Sequence, residues 1–303
     1  MIHTGPYGLP DSALEALNPL SQRLVMNRRG TTLWKVRSAH RTYAVKVGYP
    51  TTTHAWTALA PAREGAILRR LNRDDVSYGD WEHGTWNVQP WHQGDSLYDL
   101  WQPHRAEGAS SVPDLGEALS CAEAVASLHS MGWTHGDVQP AHLITSPKGT
   151  ALIDLALAHG GSVPARYDFS YRGCLVHYES PEISRSVLET GTAAPSMAAD
   201  VYALGASLFI SATGLRHVAY PDDASRKDQR QAIVDGPHRP VKVPGVLGTL
   251  INAMLNPDPA DRPTSSQVCE ELIRADGVRP RDQRMTNSGQ ERAETAGEHD
   301  QPR

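Results

Sequence analysis

Hydrophobic and polar positions divide the chain into two stretches of different period. As far as Val88 the apolar residues mostly alternate with polar ones, as in strands that bury one face. Arg23–Met26 and Thr32–Val36 are predicted strands around a turn at Asn27–Gly30, and Thr42–Val47 (TYAVKV) is a third. After a loop over Gly48–Thr53, Val76–Trp81 and Thr85–Val88 predict a hairpin about Gly84. One segment breaks the alternation. Ala60–Leu71 sets Ile67, Leu68 and Leu71 at helical spacing.

From Pro90 onward the helical period takes over. Leu115–Met131 places Leu115, Leu119, Ala122, Val125 and Leu128 on one face, and Gly132 stops that helix. Ala199–Thr213 is apolar nearly all round, so it reads as a buried core helix, too short to span a bilayer. Leu247–Leu255 and Ser265–Ala275 predict two more helices, while Gly160–Glu182, rich in Gly, Tyr and Ser, is expected to be irregular. The pattern is that of an α+β protein in two lobes. It predicts a lead-in over 1–20 that packs on the first lobe, a small antiparallel-sheet lobe with one helix over 21–90, and a larger helical lobe over 91–278. The last stretch, 279–303, lacks apolar periodicity and is expected to be disordered.

Composition narrows this picture by exclusion. A net charge of −5 gives no general attraction to nucleic acid or an anionic membrane surface. The three cysteines, Cys121, Cys174 and Cys269, have no metal-binding spacing, and their odd number argues against a disulfide scaffold. The N-terminus lacks a basic-then-apolar signal pattern, and no apolar run is long enough for a bilayer. A cytoplasmic protein with neither nucleic acid nor membrane as partner is expected.

The densest chemistry lies in Thr134–Thr145, reading THGDVQPAHLIT, and in the apolar strand Ala151–Ile153 that delivers Asp154. Two carboxylates, Asp137 and Asp154, stand at neighbouring loop ends. That arrangement suits phosphoryl transfer, in which one acid orients a hydroxyl and the other holds a divalent metal on a polyphosphate.

The order of these features resembles the protein-kinase-like superfamily, whose catalytic loop reads H-R-D-x-K-P-x-N and whose metal motif is D-F-G. Here the strings are H-G-D-V-Q-P-A-H and D-L-A. Three further strings carry the resemblance over about residues 22–275. Ser180-Pro181-Glu182 is similar to A-P-E, Asp200–Gly205 (DVYALG) to D-V-Y-S-L-G, and Asp258–Pro263 (DPADRP) to D-P-x-x-R-P. The resemblance implies a bilobal kinase fold that uses ATP with Mg2+ or Mn2+. Lys46, in A-V-K-V, would bind the α- and β-phosphates, held by Glu64, the only acid between Lys46 and Asp74. Asp137 would orient the attacking hydroxyl and Asp154 would chelate the metal. Glu182 and Arg262 would form a buried ion pair, and Asp200 would bind the catalytic-loop backbone. In NVQPWHQGDSLYDL, similar to the kinase hinge, the Pro90 carbonyl and the His92 backbone would meet adenine, with Gln89 at the back of the pocket.

Departures from the family pattern cluster around the phosphates. Gly30 stands alone where the family has three loop glycines; it can make the turn but not the same cradle. Arg28 and Arg29 are expected to face solvent rather than to supply the missing charge. Gly136 replaces the arginine that receives an activating phosphate. Gln139 replaces the lysine that neutralises the transferred group. His142 replaces a metal-binding asparagine, as a ligand for the metal or as a structural hydrogen-bonder. The expectation is an ATP-dependent phosphotransferase acting on Ser/Thr hydroxyls of a peptide or protein. Its H-G-D-V-Q-P-A-H string is similar to stand-alone kinase-like proteins of lanthipeptide and thioamitide (RiPP) pathways. That similarity implies a precursor-peptide substrate and a separate lyase partner. Asp95–Asp99 and residues 160–182 are the expected peptide contacts. Two alternatives stand beside it: a small-molecule phosphotransferase of the aminoglycoside or choline type, which H-G-D suits, and a pseudokinase, suggested by Gln139, His142 and the single glycine.

Overall fold

The alternating segments pair into one antiparallel sheet. The computed structural model describes residues 8–51, 55–106 and 112–277. After the helix α1 (Asp11–Leu17) come β1 (Ser21–Arg28), β2 (Thr31–Arg37) and β3 (Thr42–Gly48). The helix α2 (Ala60–Arg70) precedes β4 (Ser77–Trp81) and β5 (Gly84–Pro90), and the strand order is β1-β2-β3-β5-β4. Because strand residues alternate between faces, Val45 and Val47 point one way and Lys46 the other. The valines join Trp34, Trp86 and Val88 in a core that Ala13 and Leu17 of α1 cover. On the opposite face Lys46 lies in register between Leu33 and Asn87. There α2 seats itself against the sheet. A Cβ at Gly65 would lie 2.5 Å from the Tyr78 Cβ, so glycine alone permits that approach.

The helical lobe starts with β6 (Asp95–Ser96) and α3 (Leu97–Leu100), followed by α4 (Leu115–Ser130). Next, β7 (Leu143–Ser146) and β8 (Gly149–Leu152) form a hairpin that, with β6, makes a second small sheet. Then come α5 (Pro181–Thr190), α6 (Met197–Thr213), α7 (Arg226–Asp235), α8 (Gly245–Met254) and α9 (Ser265–Asp276). The largely apolar α6 is the axle of the lobe. It is buried along most of its length among Val125, Ile251 and Leu272, capped by the Ser196 hydroxyl and stopped at Gly214 (φ +74°). Ile67 and Leu68 of α2 pack on Leu128, Trp133 and Leu155 of this lobe. The helix of the sheet lobe therefore rests on both.

Three elements depart from the sequence reading. The lead-in holds α1, whose seven residues bury only Ala13 and Leu17, too few to show a period. The polar α7 was not anticipated, since RKDQRQAIVD buries only Gln229 and Ile233. The segment expected to be irregular gives way at Pro181 to α5, which opens with proline in its first turn. The expected disorder over 279–303 lies outside the described residues. Among the described residues no helix is long and apolar enough to cross a membrane.

A bidentate ion pair fastens α5 to the far end of the lobe. Arg262 donates from NH1 to Glu182 Oε1 (2.7 Å) and from NH2 to Oε2 (2.8 Å), and its other donors reach the carbonyls of Ala198, Asn256 and Pro257. Burial alone would raise the Glu182 pKa, but Arg262 outweighs it and holds the carboxyl below its usual range. A lowered folded-state pKa stabilises the fold above the ordinary carboxylate range and loses that contribution as pH falls through it. Glu182→Gln is therefore expected to cost about 2–3 kcal/mol at neutral pH. The deficit should narrow below about pH 4, near the ordinary glutamate pKa. Denaturant melts at pH 7 and pH 3 check this, and an unchanged deficit would contradict it.

Candidate active site

At the centre of the site is a buried ammonium. Lys46 Nζ lies 2.8 Å from Glu64 Oε2, 2.9 Å from Oε1, and 2.8 Å from Asp154 Oδ1. Desolvation works against the Lys46 charge, but Asp154 and Glu64 more than offset it and raise its pKa. Glu64 is itself fully buried. It accepts from Asn87 Nδ2 (3.0 Å), which also donates to the Pro61 carbonyl (2.8 Å), and from the Leu155 N–H (3.2 Å). Gln89 Nε2 reaches Asn87 Oδ1 at 3.3 Å, which sets a polar relay behind Lys46.

Asp154, the second residue past β8, sits in the left-handed region (φ +65°). Burial would raise its pKa, yet Lys46 and His142 hold it well below the carboxylate range. His142 Nε2 stands 3.2 Å from Asp154 Oδ2, and His142 Nδ1 lies 2.9 Å from the Asp137 carbonyl, which fixes the ring. Both neighbours of the ring are acceptors, so the protonated imidazole donates from Nδ1 to the Asp137 carbonyl and from Nε2 to Asp154. Loss of the Nε2 proton would free that nitrogen for a metal. A ligating histidine is set in the same way. Desolvation opposes the His142 charge and the two carboxylates overcome it, so its pKa rises.

The backbone of the loop that starts at His135 hangs from Asp200. His135 N–H donates to Asp200 Oδ2 (2.6 Å) and Gly136 N–H to Oδ1 (2.8 Å), while His129 Nε2 lies 3.1 Å from Oδ2. Burial pushes His135 down to about 4; its Nδ1 accepts from the Asp137 N–H and Nε2 donates to the Ile153 carbonyl. The loop so held presents Asp137. Gln139 Nε2 donates to its Oδ2 (3.1 Å), whereas Oδ1 is buried without a hydrogen-bond partner among the described residues. The Leu175 N–H also approaches this carboxylate. Burial pushes Asp137 up to about 6, against the pull of His142.

The structure thus gathers Lys46, Glu64, Asp137, Gln139, His142 and Asp154 in one place. Pro90 ends β5 opposite Tyr43, and His92 follows, its pKa lowered by burial and by Arg73. Gly30 is placed differently from a phosphate cradle. Arg29 and Gly30 (φ +52° and +81°) form the two-residue turn between β1 and β2, and the space beyond the Gly30 Cα is filled by Thr57 and the Tyr49 carbonyl.

One residue beside Glu64 escaped the sequence reading. Arg63 is 1% exposed and donates from NH1 to the carbonyls of Ala156 (2.6 Å) and Ala158 (3.0 Å), and from Nε to Asp168 (3.3 Å). Its guanidinium lies 5.0 Å from the Phe169 ring. The signal was its setting, an Arg-Glu pair among small residues in A-P-A-R-E-G-A, where charge is not expected to face water. Opposite it, the Tyr171 hydroxyl donates to the Gly136 carbonyl (2.8 Å). A Cβ at residue 136 would come within 2.7 Å of the Leu157 carbonyl. The segment after Asp154 is therefore braced by Arg63 on one side and by the loop at Gly136 on the other.

Comparison with known proteins places this geometry. The protein kinase domain family matches residues 33–272. Among curated proteins, the serine/threonine-protein kinase PknK of Mycobacterium tuberculosis is 29% identical over 194 residues, 61% of this chain and 16% of its own. The serine/threonine-protein kinase PknG of Mycolicibacterium smegmatis is 28% identical over 155 residues, 50% of this chain and 18% of its own. The chain therefore spans less than a fifth of the length of these two relatives. A solved structure, the kinase PK-1 of Cydia pomonella granulovirus, superposes with a TM-score of 0.59 over 88% of this chain and 96% of its own at 14% identity, a likeness of fold.

Replacing Arg63 by Met keeps the volume but leaves two buried carbonyls without a donor. We expect a loss of about 2–4 kcal/mol of stability. Increased proteolytic nicking of the 155–170 stretch, relative to wild type, should accompany it. Wild-type protection of that stretch in the variant would show that Arg63 does not brace it.

Proposed function

The chain belongs to the protein kinase domain family, and on that premise we propose that it is an ATP-dependent kinase of Ser and Thr hydroxyls in a peptide or protein. One observation carries the reading. The Lys46 ammonium is closed onto both Glu64 and Asp154 at 2.8 Å, with Asp137 buried beside them. A fold kept only for binding has no need to hold Lys46, Glu64 and Asp137 together, Glu64 fully and the other two largely buried, against the cost of desolvating them.

Each residue then has a task in the transfer. Lys46, kept charged by its two carboxylates, presents its ammonium to the phosphates of ATP. Asp154 and His142 fit a divalent cation, an oxygen and a nitrogen donor 3.2 Å apart, and the nitrogen favours Mn2+ over Mg2+. When bound, such a cation offsets the phosphate charge. Gln139 holds Asp137 in place through Oδ2, and the carboxylate is the acceptor for the incoming hydroxyl. As the hydroxyl oxygen bonds the γ-phosphorus, its proton passes to Asp137 and the bond to the β–γ bridging oxygen breaks, giving the phosphorylated substrate and ADP. A carboxyl pushed up to about 6 is closer in basicity to its task than an ordinary aspartate.

The segment after Asp154 needs no phosphate to order it in this reading. Gly136 stands where a phosphate-receiving arginine would be, while Arg63 and Tyr171 make the bracing contacts. The family match and the S-P-E and D-V-Y-A-L-G strings favour a peptide substrate over a small alcohol. The H-G-D-V-Q-P-A-H string supports a narrower substrate, a ribosomally made lanthipeptide-type precursor whose phosphate a separate lyase eliminates. In that case neighbouring genes encode both.

Incubation with ATP, Mg2+ or Mn2+ and a Ser/Thr-rich peptide is expected to add the mass of phosphate to the peptide. Asp137→Asn should lower kcat by about 10²–10⁴-fold with little change in KM for ATP. Asp154→Asn should abolish metal-dependent turnover. Tight ATP binding with no transfer to peptide, protein or small alcohols would overturn the reading.

A further inference from the structure

The polar helix α7 holds one of its arginines largely out of water. The side chain of Arg230 is 14% exposed, and that of its partner Glu179, just before Ser180, is 1% exposed. The pair is bidentate, with Arg230 Nε 2.6 Å from Glu179 Oε1 and NH2 3.0 Å from Oε2. Neither group stops there. Glu179 also accepts from the Ser184 hydroxyl (2.7 Å) and the Cys174 N–H (3.0 Å), while Arg230 NH2 donates to the Arg172 carbonyl (3.2 Å). The two side chains therefore grip the backbone on both sides of Gly173. A Cβ at that residue would strike Glu179 Oε2 and lie 2.8 Å from Arg230 NH2, so the grip requires the glycine.

What the gripped backbone reaches is the loop of Asp137. The buried Tyr171, one residue before Arg172, donates its hydroxyl to the Gly136 carbonyl at 2.8 Å. That carbonyl belongs to the peptide unit whose N–H is Asp137's own, and this N–H in turn donates to His135 Nδ1 at 3.2 Å. Gly136, Tyr171, Cys174 and Glu179 line one small cavity together with Asp200, the acid from which the loop hangs, so the path is contiguous. Fastening α5 does not require this second buried ion pair, since Glu182 and Arg262 already do that. Nor does seating α7, whose Ile233 is buried against Val176.

We infer that Arg230 is a positioning residue for the transfer, acting through Glu179 and Tyr171 to set the Gly136–Asp137 peptide and with it the carboxylate that orients the acceptor hydroxyl. The inference rests on the kinase reading above and adds to it a residue that no motif marks. It gives α7 a task at a site that Arg230 does not touch. The ATP side of the site lies off this path, because Lys46 is held by Glu64 of α2 and by Asp154. Loosening the grip therefore disturbs the hydroxyl's geometry and leaves the nucleotide's alone.

The test compares wild type, Arg230→Lys, Tyr171→Phe and the double variant in the full chain. Lysine keeps the charge that the buried Glu179 needs but lacks the fork that spans Glu179 and the Arg172 carbonyl at once. Tyr171→Phe removes only a hydroxyl. Each single variant should lower kcat for peptide phosphorylation by about 10–100-fold, as for a small misplacement of a reacting group, with KM for ATP unchanged. The double variant should be no slower than the slower single one, because both changes release the same peptide unit. Effects that multiply, or an unchanged kcat in Arg230→Lys, would overturn the proposal. So would a KM for ATP that rises as kcat falls, the mark of a general loosening. Hydrogen exchange reads the same path without activity. Arg230→Lys should speed exchange of the 135–138 amides, and wild-type protection there would also overturn the proposal. A wild type that transfers phosphate to no acceptor sinks the kinase reading, and exchange at 135–138 then decides the brace alone.

Discussion

The ammonium of Lys46 is buried, and a buried charge must be met by opposite charge or the fold is penalised. Strand β3 cannot supply that charge itself. One carboxylate comes from α2 and the other from the second residue past β8, so the cation pulls a helix of the sheet lobe and a loop of the helical lobe to the same point. Asn87, opposite Lys46 in the sheet register, spends its amide on Glu64 and on the α2 backbone, which fixes how the helix lies on the sheet. The site is therefore not grafted onto a finished fold. Its central ion pairs are among the contacts that join the lobes.

Arg63 repeats the arrangement with the charges exchanged. Adjacent to Glu64 on the same helix, it is a buried cation met by carbonyls of the segment that begins at Asp154. Where Glu64 ties α2 to Lys46 and to the Leu155 N–H, Arg63 ties it to Ala156 and Ala158. A displacement of α2 would expose donors and acceptors on both sides at once, so the two residues make the helix position an all-or-none matter. Gly136 fits this scheme. The left-handed backbone at 136 (φ +74°) lets the 135–142 loop pass close to the Leu157 carbonyl.

Much of this was legible in the chain because it is written in local periods. Alternation at Val45-Lys46-Val47 placed the lysine on the face opposite the valine core, and helical spacing placed Glu64 on the following helix. The strings around Asp137, Asp200 and Arg262 carried the rest of the frame. What was not legible depends on contacts remote in sequence. Arg63 meets carbonyls more than ninety residues away, and those are backbone atoms, which no residue type announces. The same holds for α1, whose few buried residues fit a sheet face formed by later strands, and for α7, whose Ile233 is buried with Val176 and Tyr220. Gly30 joins the two cases. The sequence put a single glycine at the turn between the first two strands, and the structure places it there, with Thr57 and the Tyr49 carbonyl, contacts remote from that turn in sequence, filling the space beside it.

The central claim is that α2 holds the site assembled without phosphate on the 155–182 segment. It is tested most directly by measuring peptide phosphorylation with protein freed of phosphate by phosphatase treatment and verified by intact mass. The account predicts transfer that begins without a lag and proceeds at a rate independent of prior phosphatase treatment. A lag that disappears as phosphate accumulates on that segment, or activity lost on dephosphorylation and restored by autophosphorylation, would contradict it.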